Sequence, residues 1–448
     1  MRKLFIFLCL LTFLFGVGIS PVYAVTNNNI ESDSGESSSE NSEVYEETPE
    51  NQQESTQEEE GNLSEENTTS EENTTSQNSD GSSTSTELIP GAISGVLMEA
   101  NTKEIVFSKD MDKEVPVASM TKMVAQILIL DAIREEKIHW DDMITVSQTA
   151  ADMGGSQIYL STGEKISIRD LMKGISMASA NDATVQMAEV LAGSEEAFVK
   201  MMNKKVQELG LKNTVFKNCT GLDEDGHYSS AHDMAMIARE LVVNYPEILE
   251  FSSVYEDYLR EDTENKFWLV NTNKLVRFYE GADGLKTGHT DAAKYCLAAT
   301  AKKGDLRFIA IVLGEDDSTS RNQEAMNLLD YGFNHYEMNL IKNKDEVLKT
   351  IPLEKATKSS LSLVPSQDIG VLTEKGSKDV KYQYEVKTKD IKLPIKKGDV
   401  LGKVVVTGDG EEVTTVDLVS TESVKSLSFL QLLGRELSSL VQGEFQIL

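Results

Sequence analysis

Ser119 and Lys122 stand three residues apart at the head of a long apolar run, PVASMTKMVAQILIL, residues 116–130. On a helix, that spacing puts two side chains on one face, with Cβ atoms roughly 5–6 Å apart. An ammonium group in an apolar segment is costly unless it is paired or neutralised. A serine hydroxyl is a weak nucleophile and needs a base. Desolvation, helped by a second cation nearby, lowers a lysine pKa and leaves part of it as the neutral amine. The pair therefore has the makings of a nucleophile and its base. The five histidines are His139, His227, His232, His289 and His335. No two have metal-ligand spacing such as H-E-x-x-H, and no G-x-S-x-G elbow is present. Neither a metal nor another cofactor is expected.

An S-x-x-K alone recurs by chance. Two further groups change its weight. Ser179-Ala180-Asn181 falls in the turn between two predicted helices, a good place to present side chains to a cleft. By itself it is also an ordinary helix cap. Lys286-Thr287-Gly288 follows GADGL and opens a strand region. By itself it is an ordinary polar strand edge. The order S-x-x-K, S-x-N, K-T-G is far more specific than any of the three.

These groups need elements to hold them. AISGVLMEA and EIVFS flank Asn101-Thr102-Lys103 and predict a hairpin. The apolar run after Ser119 continues to Ile133 and is long enough for a buried helix. SIRDLMKGISMA places Ile168, Leu171, Met172 and Ile175 on one helical side. NDATVQMAEVLAG predicts the next helix, with Asn181 or Asp182 as cap, followed by helices over 196–209 and 231–243, the last capped by Ser230. The period then changes to two. Tyr295 to Ala301 and Leu306 to Leu313 predict strands joined at Lys303-Gly304-Asp305. RNQEAMNLLDYGFNHY closes this region as a helix. The mixture is α+β, an antiparallel sheet with a helical cluster, over 89–343. Residues 344–420 predict a small all-β domain, with alternating Tyr382, Tyr384 and Val386 and a turn at Asp409-Gly410.

The ends differ from the middle. Arg2 and Lys3, an apolar stretch to Val17 and Val22-Tyr23-Ala24 read as a cleavable export signal over 1–24, too short to span a bilayer as a retained anchor. The mature protein is expected at the outer face of the cytoplasmic membrane or in the wall. Residues 25–88 hold 18 Asp or Glu and no Lys or Arg, with the imperfect repeat SEENTTSEENTTS. Such a segment has little to bury and is expected to be a disordered arm, either a wall-spanning spacer or a solubilising tail. The net charge of −31 argues against a nucleic-acid partner. Cys9 lies in the signal core, and Cys219 and Cys296 are expected to be unpaired thiols. From 421 to the end the chain predicts an amphipathic terminal helix. Its stripe is Phe429, Leu430, Leu433, Leu437, Leu440 and Val441, suited to lie flat on a membrane surface. A helix docked on its own β-domain is the alternative.

The three groups together resemble the penicillin-binding protein and serine β-lactamase superfamily. LMKGISMASANDA, GLDEDGHYSSAHDMA, DGLKTGHT and RNQEAMNLLDYGF are most similar to the low-molecular-mass D-alanyl-D-alanine carboxypeptidases. The resemblance runs from Ile89 to the end. It implies a serine peptidase acting on peptidoglycan stem peptides that end in D-Ala-D-Ala, and blocked by β-lactams. It implies Ser119 as nucleophile, Lys122 as base and Ser179 as proton relay to the leaving amine. Asn181 would hold Lys122 and the substrate amide, and Lys286 would orient Ser179. Thr287 and Arg321 would bind the terminal carboxylate. The backbone beside Gly288, at Ser119 and His289, would form the oxyanion hole. A β-lactamase is disfavoured because no E-x-x-L-N follows the S-x-N group. A transpeptidase and a non-catalytic wall-binding protein of the same fold are the remaining alternatives.

Overall fold

The computed structural model describes residues 88–378 and 380–434. The signal, nearly all of the acidic arm and the tail beyond 434 lie outside the described residues.

A five-stranded antiparallel sheet forms the centre. Its strands are β1 (Ser94–Glu99), β2 (Ile105–Lys109), β7 (Ala282–Thr290), β8 (Lys294–Lys303) and β9 (Leu306–Glu315), in the order β2-β1-β9-β8-β7. The two hairpins read from the sequence are β1–β2 and β8–β9. Their joining is long-range: β1 lies beside β9, with Val96 opposite Ile311. Strand β9 is buried on both faces. Its period of two sends Phe308, Ala310 and Val312 to one core and Ile309, Ile311 and Leu313 to the other. The first core is closed by the Ser318–His335 helix through Ala325, Leu328, Leu329 and Phe333.

The second core takes the helical cluster. A single 3₁₀ turn, Ala118–Thr121, carries Ser119 and runs into the Lys122–Arg134 helix. Ile127, Ile129 and Leu130 on that helix are fully buried, each contributing about 1.5–3 kcal/mol. Around it stand the helices Ile168–Lys173, Asn181–Ala192, Glu195–Glu208 and Ala231–Arg239. Ser230 caps the last of these, accepting from Asp233 N–H. Two expectations change. The GISMA stretch is a π turn, Gly174–Ala178, that ends with Ser179 at φ 61°. The Asn181 helix has no side-chain cap: Asp182 turns instead to the N–H groups of Ile158 and Leu160, and so anchors a loop. Short hairpins β3 (Met143–Thr145) with β4 (Lys165–Ser167), and β5 (Glu256–Leu259) with β6 (Phe267–Val270), edge the cluster.

Strand β10 (Tyr336–Lys342) pairs with β13 (Ile369–Glu374), next to the second five-stranded sheet. That sheet contains β11 (Lys349–Pro352), β12 (Ser360–Pro365), β14 (Tyr382–Thr388), β15 (Val400–Gly408) and β16 (Glu411–Ser420), in the order β11-β12-β16-β15-β14. The β15–β16 hairpin turns at Asp409 and Gly410, as read from the sequence. One buried arginine bridges the two sheets' regions. Arg239 Nε donates to Ala100 O at 2.6 Å, and its Nη2 donates to Gln367 Oε1 at 2.5 Å. Gln367 donates in turn to Asn101 O.

The terminal helix begins later than the sequence suggests. Val424 is fully buried and bridges Ile395, and Ser426 bridges Ala356, so this part of the chain is strand-like. Helix appears at 429–434, where Phe429, Leu430 and Leu433 are exposed. Among the described residues no helix is long and apolar enough to cross a membrane.

Candidate active site

The three groups converge from three elements. Ser119 sits on the 3₁₀ turn, Ser179 on the left-handed residue after the π turn, and Lys286 to Gly288 on edge strand β7. They share a cavity of about 410 Å³ lined by Ser119, Ser179, Thr287, Gly288, His289 and Arg321, among others. Lys122, Asn181 and Lys286 are buried.

Close backbone approach builds this junction, and two glycines permit it. At Gly221, φ is +83°, and a Cβ there would lie 1.9 Å from Ala118 O and 2.9 Å from Ser119 N. At Gly288 a Cβ would lie 2.6 Å from Val117 O. The loop 219–221 and strand β7 thus clamp the Ser119 turn from two sides. Ala118, just before the serine, is itself held at φ 46°. Strained backbone of this sort costs about 1–3 kcal/mol and persists only where packing over-determines it.

Lys122 Nζ lies 2.7 Å from Ser119 Oγ and donates to Thr220 O, also at 2.7 Å. Ser119 Oγ has Thr220 O as a second neighbour at 3.4 Å. Lys122 is fully buried, and burial pushes its pKa down to about 7. Lys286 is also fully enclosed. Burial lowers its pKa well below the ordinary lysine value, and the cations Lys122 and Arg321 lower it further. Its ammonium donates to Thr287 O at 2.9 Å. The Ser179 hydroxyl is buried and has no hydrogen-bond partner among the described residues. A buried hydroxyl left unpaired costs free energy and points to a group that arrives with a ligand.

The remaining predicted residues are placed as follows. Asn181 donates its amide N–H to Gly154 O at 2.8 Å, and its backbone N–H goes to Ser156 O. No hydrogen bond joins it to Lys122, and none joins Lys286 to Ser179, among the described residues. Arg321 is nearly buried, donates to Asn322 Oδ1 and lies 5.9 Å over the Tyr295 ring. His289 is exposed and its ring packs against Tyr295, with centroids 4.1 Å apart. Cys219 and Cys296 are both free and buried. No cluster able to hold a metal ion occurs among the described residues.

Sequence reasoning did not find Thr220, whose carbonyl holds Lys122, nor Ser156, Thr272 and Lys274, which line the same cavity. Thr220-Gly221 carried a weak signal, a glycine next to a loop turn. The others carried none, because their place depends on contacts distant in sequence.

Comparison with known proteins follows this geometry. Residues 81–317 match the D-alanyl-D-alanine carboxypeptidase family, and 336–426 match the penicillin-binding protein 5 C-terminal domain. The D-alanyl-D-alanine carboxypeptidase DacF of Bacillus subtilis is 46% identical over 357 residues, covering 80% of this chain and 91% of that protein. The solved penicillin binding protein 5 of Haemophilus influenzae aligns at 32% identity with a TM-score of 0.60, covering 75% of this chain and 98% of that one. Penicillin-binding protein D2 of Listeria monocytogenes, solved in its cefotaxime-bound form, aligns at 30% identity with a TM-score of 0.50, covering 54% of this chain and 97% of that one. A cleft of this construction, matched across both the helical and the β regions, makes the chain a member of the D-alanyl-D-alanine carboxypeptidase family of serine peptidases.

Proposed function

We propose that the protein removes the terminal D-alanine from peptidoglycan stem peptides through a Ser119 acyl-enzyme. The observation that carries this reading is the buried Lys122 amine, 2.7 Å from Ser119 Oγ, with its pKa lowered to about 7. Neutral Lys122 takes the hydroxyl proton as Ser119 Oγ attacks the carbonyl carbon between the two D-alanines. The oxyanion is held by the N–H groups of Ser119 and His289. Ser179, whose hydroxyl has no partner among the described residues, relays that proton from Lys122 to the departing nitrogen as the C–N bond breaks, which leaves Lys122 neutral again. Free D-alanine leaves, and a water repeats the cycle on the ester. Asn181 lines up the substrate amide, Lys286 orients Ser179 from beneath the cavity, and Thr287 and Arg321 receive the carboxylate.

β-Lactams would acylate the same hydroxyl, in keeping with the cefotaxime-bound relative. The test is incubation with a fluorescent penicillin and mass spectrometry of the labelled peptide. Label should sit on Ser119, and Ser119→Ala should abolish it while the protein stays folded. Undiminished labelling of that variant would remove the assignment. With a D-Ala-D-Ala peptide plus an amine acceptor, free D-alanine should dominate. Dominant cross-linked product would make the protein a transpeptidase.

The domain plan follows: signal 1–24, acidic arm 25–88, catalytic domain 89–343, small β-domain 344–420, and a tail that attaches to the membrane surface. Exposed Phe429, Leu430 and Leu433 support the attachment. The enzyme would then work outside the cytoplasmic membrane, with its β-domain between bilayer and cleft.

A further inference from the structure

Thr272 is not part of the three sequence groups, yet its hydroxyl meets the last of them. Thr272 Oγ1 and Thr287 Oγ1 lie 2.7 Å apart. The backbone N–H of Thr272 donates to Met177 O at 3.0 Å, which ties it to the π turn that presents Ser179. Asn271 and Asn273, on either side, are buried. Asn273 donates to Gly284 O at 2.7 Å, at the head of the strand that bears Lys286. Thr272 is therefore held by fixed backbone on both sides.

A hydroxyl carries one hydrogen and two acceptor lone pairs. A bond between two hydroxyls consumes one hydrogen and leaves the other to be aimed elsewhere. If Thr287 donates to Thr272, the spare hydrogen belongs to Thr272. If the bond runs the other way, Thr272 fixes the direction of the Thr287 hydrogen. Both hydroxyl-bearing residues line the 410 Å³ cavity, so in each case one O–H is offered to its contents.

Two residues on, Lys274 lines the same cavity, as does Arg321. Lys274 lies 5.2 Å over the Tyr255 ring, and Arg321 bonds Asn322. Neither is in ion-pair contact with a carboxylate among the described residues. Two such cations facing one cavity, in a chain of net charge −31, mark the place of an anion. Lys286 is no substitute for Lys274, since its ammonium is buried and turned to the Thr287 carbonyl.

We propose that Thr272 and Lys274 are substrate-binding residues of this cleft. The Thr272–Thr287 hydroxyl pair donates to the terminal carboxylate of the substrate, and Lys274 adds a second positive charge beside Arg321. The proposal rests on the carboxypeptidase reading above.

The test uses the exported chain and two peptides, one ending in D-Ala-D-Ala with a free carboxylate and the other its terminal amide. Thr272→Val should lower kcat/KM on the free acid about tenfold, the usual scale of one hydrogen bond to a charged group. Thr272→Ser should restore it. Lys274→Gln should lower kcat/KM severalfold and flatten its dependence on salt, and Lys274→Arg should keep both. On the amide, which keeps a carbonyl acceptor but has no charge, Thr272→Val and Lys274→Gln should each lose clearly less than on the acid. Equal losses on acid and amide, or no loss on the acid, overturn the proposal. An unaltered enzyme that releases no D-alanine and takes no penicillin overturns the carboxypeptidase reading instead, so the two failures are distinct. Thermal melting of each variant, followed by circular dichroism, separates a binding defect from misfolding.

Discussion

Acylation of Ser119 should rise with pH through about 7 and then level off. The reason is the protonation state of Lys122, which burial holds near that value instead of the ordinary 10.5. Only the neutral amine can accept the Ser119 proton. With a midpoint near 7, roughly one tenth of Lys122 is neutral at pH 6 and nine tenths at pH 8, so the acylation rate constant should climb about tenfold over that interval. An ordinary lysine would be almost wholly charged throughout, and the rate would climb a full decade per pH unit up to about pH 10. The assay is the second-order rate constant for a fluorescent penicillin, measured by stopped-flow from pH 5.5 to 9.5. Lys122→Arg should be nearly inactive across the whole range, because a guanidinium does not deprotonate there. A flat profile, a midpoint near 10, or substantial acylation by Lys122→Arg would each refute the assignment of Lys122 as base.

The same shift has a stability signature of opposite use. Between about 7 and 10.5 the folded chain binds fewer protons at Lys122 than the unfolded chain, so stability from this group rises with pH there. Relative to Lys122→Met, the unaltered protein should therefore gain roughly 4 kcal/mol from pH 6 to pH 10 in denaturant unfolding, and an equal pH dependence in both would contradict the buried-amine picture. Gly221→Ala should abolish penicillin acylation, since the new Cβ would meet Ala118 O, and an acylation rate within threefold of the parent would show that the clamp is not needed. Removal of the chain after residue 428 should leave activity on small peptides unchanged and release the enzyme from vesicles, as should Leu433→Asp. Cutting eight residues earlier should also destabilise the β-domain, because Val424 is fully buried there; equal melting of the two truncations would count against that.

Much of this was legible because local patterns agree with one another. The change of period from helical spacing around 116–243 to alternation after 295 separated the cluster from the sheet. The three polar groups were legible because their residue types and order are rare together. What could not be read is set by contacts distant in sequence. Nothing local to β1 says that its partner is β9, more than two hundred residues on. Asn181 looked like a cap, yet its amide reaches back to Gly154, and the capping acid Asp182 serves a loop instead. The π turn at 174–178 hides inside good helical periodicity, and it is this irregularity that swings Ser179 to a left-handed conformation facing the cleft. Val424 read as part of the terminal helix because its burial depends on Ile395, some thirty residues earlier.

The Arg239 bridge has a mechanical side. A single guanidinium grips the turn after β1 with one nitrogen and the β-domain's Gln367 with another, and Gln367 closes the triangle onto Asn101. A triangle braces where a single strut would pivot. A force on the β-domain at Gln367 is therefore passed to the turn between β1 and β2, and three hydrogen bonds oppose swing about that contact. If the tail attaches to a membrane as proposed, such a brace would favour one height of the cleft above that surface. Shortening or lengthening the β-domain, without touching the cleft, would then change that height.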